Sequence, residues 1–231
     1  MPKLQVITLG CSKNTVDTEH LLFQVQDSYE IVPEGESCPV DVLLINTCGF
    51  IGDAKEQSIQ TILAAAKKKA EGEVGRLLVF GCLSQRYPDE LPGLIPEVDG
   101  WFGARELDPL IKALGCKPRP ELSHGRLLEG EYKPYAYLKI SEGCDRRCSY
   151  CAIPFIRGPH KSVPVEDLVE EAILGTPEAE GITLGIQVAT RTPMPPTMAK
   201  ASNPTIASIS KAVIPPLKPQ MTGFMPIMEL L

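Results

Sequence analysis

Four short apolar runs punctuate the first half of the chain, at residues 4–9, 42–45, 77–80 and 100–103, and helical patterns separate them. That alternation fits a parallel sheet covered by helices on both faces, since each crossover must carry the chain back before the next strand starts. After the first run, residues 16–26 place Leu21, Leu22 and Val25 on one helical face behind Thr15 as a cap. Residues 53–70 form another predicted helix. There Asp53 and Glu56 stand at capping-box spacing, Lys67, Lys68 and Lys69 suit the negative C-terminal end, and Gly72 closes it. The lysine run reads as a solvated helix end. A further helix is expected over 106–114, closed by Gly115.

Composition divides the chain into segments. Residues 1–116 read as one domain, and residues 117–133 lapse into Pro, Gly and charge, a linker. A strand at 135–140 opens a second unit over 134–185, continued by a cysteine loop at 144–151 and a helix at 164–174 with Pro164 in its first turn. From Ile186 to Leu231 the chain changes character. This tail has a net charge of +3 against −9 for everything before it, and it holds eight of the 22 prolines and every methionine except Met1. So many prolines leave no long helix and poor strands. Two readings of residues 186–231 stand: out-of-frame or misassembled sequence joined to a genuine amino-terminal region, or a natural disordered extension.

The whole chain, 231 residues at net charge −6, is long enough for one large domain or two small ones. Its acidic balance argues against nucleic-acid binding by broad phosphate neutralisation and leaves only a local basic patch for that purpose. No apolar run approaches the ~18–20 residues that cross a bilayer, and the first residues lack the pattern of a secretory signal. A cytoplasmic protein without membrane contact is expected.

Eight cysteines in such a chain point to metal or catalysis before disulfides. Cys11, Cys48 and Cys82 each fall just past the C-terminal end of a predicted strand, and in a parallel sheet those ends share the edge where open α/β folds bind ligands. Gly10, Gly49 and Gly81 beside them allow close backbone approach to a bulky group. The plainer alternative is three buried cysteines acting as small hydrophobes.

The second set is Cys144-Asp145-Arg146-Arg147-Cys148-Ser149-Tyr150-Cys151. Thiolates at CxxxCxxC spacing on a tight loop suit three irons of a four-iron, four-sulfur cluster and leave the fourth iron open to a substrate or cofactor. Zinc held by these cysteines and His160 is the rival, although His160 lacks a usual finger spacing.

The CxxxCxxC loop resembles the signature of radical S-adenosylmethionine enzymes, and three dispersed upstream cysteines are similar to the methylthiotransferase branch of that family. The segments Leu9-Gly10-Cys11-Ser12-Lys13-Asn14, Asn46-Thr47-Cys48-Gly49-Phe50-Ile51, Gly81-Cys82-Leu83-Ser84-Gln85-Arg86-Tyr87 and Ile140-Ser141-Glu142-Gly143-Cys144 resemble the bacterial members that modify ribosomal protein S12. The resemblance implies an α/β fold: a flavodoxin-like parallel-sheet domain followed by the start of a radical S-adenosylmethionine β/α barrel. It implies two [4Fe-4S] clusters, one on Cys11, Cys48 and Cys82 and one on Cys144, Cys148 and Cys151, with S-adenosyl-L-methionine as cofactor. The implied reaction places a methylthio group on the β-carbon of an aspartate in ribosomal protein S12, free or on the ribosome, with separate electron and sulfur donors. An unactivated C–H bond is beyond any side-chain base, so a cofactor-derived radical must break it, and no residue is singled out as a catalytic acid or base. A tRNA methylthiotransferase, a chain that binds clusters without turnover and a non-catalytic iron–sulfur or zinc module remain as alternatives.

Other residues carry less. Tyr150 holds the position where this superfamily usually places an aromatic near the adenine; simple packing is the alternative. Arg146, Arg147, Arg157 and Lys161 flank the loop, either steering an acidic peptide or rRNA or forming a solvated charged surface. Asn14 and Asp17 either order the loop around Cys11 or sit in an exposed polar turn. Cys38 and Cys116 read as spare thiols, His20 and His124 as surface residues. Val163 departs from the family, which usually has arginine there.

Overall fold

The computed structural model describes residues 1–120, 125–128 and 136–174. Five parallel strands, β1 (Lys3–Thr8), β2 (Glu30–Val32), β3 (Val40–Thr47), β4 (Val74–Gly81) and β5 (Gly100–Gly103), line up in the order β2-β1-β3-β4-β5. This is the doubly wound order of flavodoxin-like folds, with its switch point between β1 and β3. The chain is thus an α/β protein with a flavodoxin-like amino-terminal domain.

Both faces of the sheet are covered by helices α1 (Ser12–Val25), α2 (Gly52–Ala70), α3 (Cys82–Arg86), α4 (Leu91–Leu94) and α5 (Leu107–Ala113). Successive side chains of a strand point to opposite faces, so Leu43, Ile45, Leu77 and Val79 pack with Ile62 and Ala65 of α2. Val42, Leu44, Leu78 and Phe80 pack on the other face with Leu21, Leu22 and Val25 of α1 and Leu110 and Ile111 of α5. A strand buried on both faces cannot alternate with polar residues, which is why the central strands read as unbroken apolar runs.

The differences from the sequence reading lie at the ends of elements and in the shortest ones. β2, α3 and α4, at three to five residues each, are too short to show a period. α1 starts at Ser12 with Cys11 as its N-cap, so Thr15 lies inside the first turn and caps nothing. α2 is capped at Ile51 without a side-chain bond, and the Asp53/Glu56 capping box does not form; Asp53 instead places its charge in the first turn. Of the lysine run, Lys67 and Lys68 are solvated, but Lys69 bonds Asp99 Oδ2 at 2.6 Å and the Glu97 carbonyl at 2.8 Å, pinning the end of α2.

Beyond the sheet come β6 (Ser141–Glu142), α6 (Ile153–Arg157), β7 (Lys161–Ser162) and α7 (Val165–Leu174). The strand expected over 135–140 is not formed by residues 136–140. A strand needs a ladder partner, and the antiparallel partner β7 reaches only Ser141 and Glu142, with Val163 N–H donating to the Ile140 carbonyl at 2.9 Å, while the Tyr137 carbonyl accepts from the Arg126 side chain instead. α7 covers most of the expected helix, with Pro164 just before it, its carbonyl accepting from Leu168 N–H at 3.1 Å. The expectations for Tyr135, for His124, for much of the linker and for everything from residue 175, including the tail, lie outside the described residues.

Candidate metal centre at the sheet edge

β1, β3 and β4 are neighbours in register, with Thr8 opposite Asn46 and Thr47 opposite Gly81, so the three ends lie level. Cys11 follows β1, Cys48 follows β3 and Cys82 opens α3 directly after β4. All three line one cavity of about 610 Å³, with Lys13, Phe50, Ile51 and Arg157 also in its walls. Cys11 is exposed, Cys48 half-buried and Cys82 buried, and none is in a disulfide. Cys11 and Cys48 flank the β1/β3 switch point, the place where folds of this order accept ligands.

The backbone around these thiols is tightly fixed. Cys48 N–H donates to Ser58 Oγ at 3.1 Å, and that hydroxyl lies 3.0 Å from the Cys48 carbonyl and 2.8 Å from that of Ala54, holding the turn to the start of α2. Asn14, fully buried, donates from Nδ2 to the Leu9 carbonyl at 2.7 Å and the Thr47 carbonyl at 3.1 Å, which ties the turn after β1 to that after β3. Its Oδ1 lies 3.8 Å from Cys82 Sγ. Asn14 therefore does order the Cys11 loop, and the exposed-turn alternative falls. The glycines serve the protein's own packing: a Cβ on Gly10 would lie 2.6 Å from Cys48 Cβ, one on Gly49 2.8 Å from the Cys82 carbonyl and one on Gly81 2.7 Å from that of Thr47. They bring the cysteine turns against one another, where a bulky ligand was expected beside them.

Three free thiols on a shared wall fit an iron–sulfur cluster, whose soft sulfide-bridged irons take thiolate ligands, one to each iron. Among the described residues, no group of three or more His, Cys, Asp or Glu side chains is already drawn together around a metal position. Burial pushes the Cys82 thiol above its ordinary pKa, opposed by the Arg157 guanidinium.

In the second set, Cys144, Cys148 and Cys151 are half-buried and free. Their loop is closed by Cys144 N–H donating to the Gly158 carbonyl at 3.0 Å and Cys151 N–H to that of Cys148 at 3.1 Å. Gly143 adopts φ +72°, and a Cβ there would collide with the Gly158 and Pro159 carbonyls. Tyr150 is 89% exposed, so packing does not explain it. His160 is exposed, its ring 3.3 Å from Ser162 Oγ.

Arg146, Arg147 and Lys161 are exposed, but Arg157 is not. Its side chain is 3% exposed and donates to Asp17 Oδ2 at 2.6 Å, to Glu142 Oε2 at 3.2 Å and to Asn14 Oδ1. Lys139 joins Asp17 and Glu142, and Lys13 bonds the Ser141 carbonyl at 3.0 Å and Glu142 at 3.3 Å. The reading of Arg157 as a surface cation is thus corrected, and Asp17 proves to be its partner. Burial disfavours both Arg157 and Lys139 as cations, yet the facing Asp17 and Glu142 carboxylates, joined for Arg157 by Cys82, hold both pKa values above ordinary. Burial likewise opposes ionised Glu142, and Lys139, Arg157 and Lys13 more than offset it. His20 is also more than a surface residue: it is half-buried, 3.3 Å from buried Glu171, which also faces Arg126 at 3.3 Å. Cys38 and Cys116 pack at the margins of the two cores, as spare thiols do.

Sequence reasoning missed Arg157, Lys139 and Glu142 as one network because Asp17 and Asn14 lie far away in the sequence. The only local hint is an arginine at the end of the apolar stretch Ile153-Pro154-Phe155-Ile156-Arg157.

Residues 3–103 match the family described as "Uncharacterized protein family UPF0004". The chain is 53% identical over 173 residues to the "Ribosomal protein uS12 methylthiotransferase RimO" of Pelodictyon phaeoclathratiforme, covering 74% of this chain and 39% of that protein. To the protein of the same name from Christiangramia forsetii it is 50% identical, over 74% of this chain and 37% of the relative. For that of Bacteroides fragilis the identity is 50%, over 73% and 39%. Over the matched residues the chain belongs to the RimO family. It spans about two fifths of the length of these relatives. No helix among the described residues is long and apolar enough to cross a membrane.

Proposed function

We propose that this chain is the amino-terminal portion of a radical S-adenosylmethionine methylthiotransferase acting on ribosomal protein S12 in the cytoplasm. Residues 1–116 are its cluster-binding domain and residues 134–185 the opening of its barrel. The observation that carries the reading is the meeting of Cys11, Cys48 and Cys82 in one cavity at the C-terminal edge of the sheet, in a chain that also bears the CxxxCxxC loop.

Each cysteine set holds one [4Fe-4S] cluster, and together with S-adenosyl-L-methionine these groups supply hydrogen-atom abstraction from an aspartate β-carbon and a methylthio group to replace it. The protein's part is to hold and orient. Asn14 and Ser58 fix the turns that carry Cys11 and Cys48. Phe50 and Ile51 place apolar surface at the cavity wall. Tyr150, exposed on the second loop, offers its ring for stacking against the adenine of the cofactor.

Anaerobic reconstitution of the full chain should give about eight irons per chain, four for each cluster. Replacing Cys11, Cys48 and Cys82 with alanine, or Cys144, Cys148 and Cys151, should each halve that figure. A colourless protein with one zinc, or an iron content indifferent to the first triple replacement, would refute the reading. Side-by-side assays with ribosomal protein S12 and tRNA then test the substrate.

A further inference from the structure

Arg157 lies six positions past Cys151, on a helix continuous with the second cysteine loop, yet its side chain lines the cavity of the first cysteine set. It reaches there through a buried chain of contacts. One edge of the guanidinium meets Asp17 and Glu142, and the other meets Asn14 Oδ1, the same oxygen that stands 3.8 Å from Cys82 Sγ. Long charged side chains are seldom buried without reason, and here two carboxylates pin one cation in a fixed orientation beside three thiols.

Three thiolates on a [4Fe-4S] core leave a net negative site, and net charge together with hydrogen bonding sets the reduction potential of such centres. A buried positive charge favours the reduced, more negative form and is screened less by salt than an exposed one. Exposed Arg146, Arg147 and Lys161 lack that leverage. Resting on the proposed function, we propose that Arg157 is a positioning residue of the first centre: although carried by the segment of the second, it is the fixed cation that tunes the site of Cys11, Cys48 and Cys82. Through Glu142, two residues before Cys144, the same contacts join both cysteine sites into one electrostatic unit.

The test uses the full chain with Cys144, Cys148 and Cys151 replaced by alanine, so that the first centre is read alone. After reconstitution with iron and sulfide, iron per chain is measured and the midpoint potential is followed by mediated titration with EPR detection. Arg157→Gln should shift the midpoint to more negative values, and Arg157→Lys, which keeps the charge but loses the forked geometry, should shift it less. Glu142→Gln removes a carboxylate from Arg157 and should move the midpoint the opposite way, which keeps the proposal testable if Arg157→Gln fails to fold. A purely structural role would lower the cluster content and leave the midpoint of the remaining clusters in place. An unchanged midpoint in Arg157→Gln, or in Glu142→Gln, overturns the proposal. Absence of iron from the parent at the first centre refutes the proposed function instead.

Discussion

Cys11, Cys48 and Cys82 lie far apart in sequence and reach one cavity because three adjacent strands end at the same edge, whereas Cys144, Cys148 and Cys151 fall within a single loop. The first set owes its geometry to the sheet, the second to local spacing. The thiols of the first range from exposed to buried, as their strands dictate, while those of the second are uniformly half-buried. A site assembled by tertiary structure should inherit the stability of the fold, and a site assembled by spacing should depend on its own turn.

The largest effect expected from this difference comes from the centre of the sheet. Ile45 is fully buried on β3 and packs in the core shared by α2 and β4. Ile45→Ala should cost about 2–5 kcal/mol of stability, read by urea unfolding. Iron bound by the first set should then be lost at lower denaturant than iron on the 144–151 loop. Simultaneous loss from both sets would break the comparison.

A smaller effect separates the two regions residue by residue. Gly10 has φ +97°, and a Cβ there would lie 2.6 Å from Cys48 Cβ, so Gly10→Ala must strain the turn or push Cys48 away. We expect a cost of about 1–3 kcal/mol, with iron at the first set reduced. Tyr150→Ala, at a side chain 89% exposed, should stay within about 0.5 kcal/mol of the parent. Thermal unfolding of the two variants side by side checks the contrast, and a Tyr150 variant as unstable as the Gly10 one would show that the second loop is held by more than its own turn.

The same contrast explains how much of the molecule is legible in the sequence. The long central strands and α2 announce themselves because two-sided burial forces apolar runs and helical periods. The shared edge of Cys11, Cys48 and Cys82 follows from strand ends alone. β2 does not show, because three residues carry no period, and the capping box misled because Asp53 and Glu56 stand at the right spacing two positions too late, with Ile51 at the cap. Arg157 looked like surface charge because its partners, Asn14 and Asp17, become neighbours only once α1 and α6 are packed. Burial of a charged side chain is a property of the assembled fold, so no local pattern carries it.

Asp99 gives a smaller effect than the Ile45 and Gly10 substitutions and isolates the sheet from its sites. It sits just before β5, at the edge of the sheet opposite the cysteines, and accepts from Lys69 Nζ at 2.6 Å and from Leu77 N–H at 2.8 Å. Burial alone would raise its carboxyl pKa, but these bonds, with the charges of Lys69 and Arg76, hold it below the ordinary aspartate value. A carboxyl depressed in the folded state adds stability that is fully present above its unfolded pKa of about 4 and is lost as pH falls through the folded value. Asp99→Asn should therefore be less stable than the parent at pH 7, by no more than about 1 kcal/mol because the pair is partly solvated. The gap should narrow below about pH 4. Urea midpoints taken from pH 7 to pH 3 measure this. Because Asp99 touches neither cysteine set, the iron content of both should match the parent at neutral pH. A fall in iron at the first set alone would mean that the far edge of the sheet transmits strain to the cavity, which would extend the dependence of that site on the fold from the strand ends to the whole sheet.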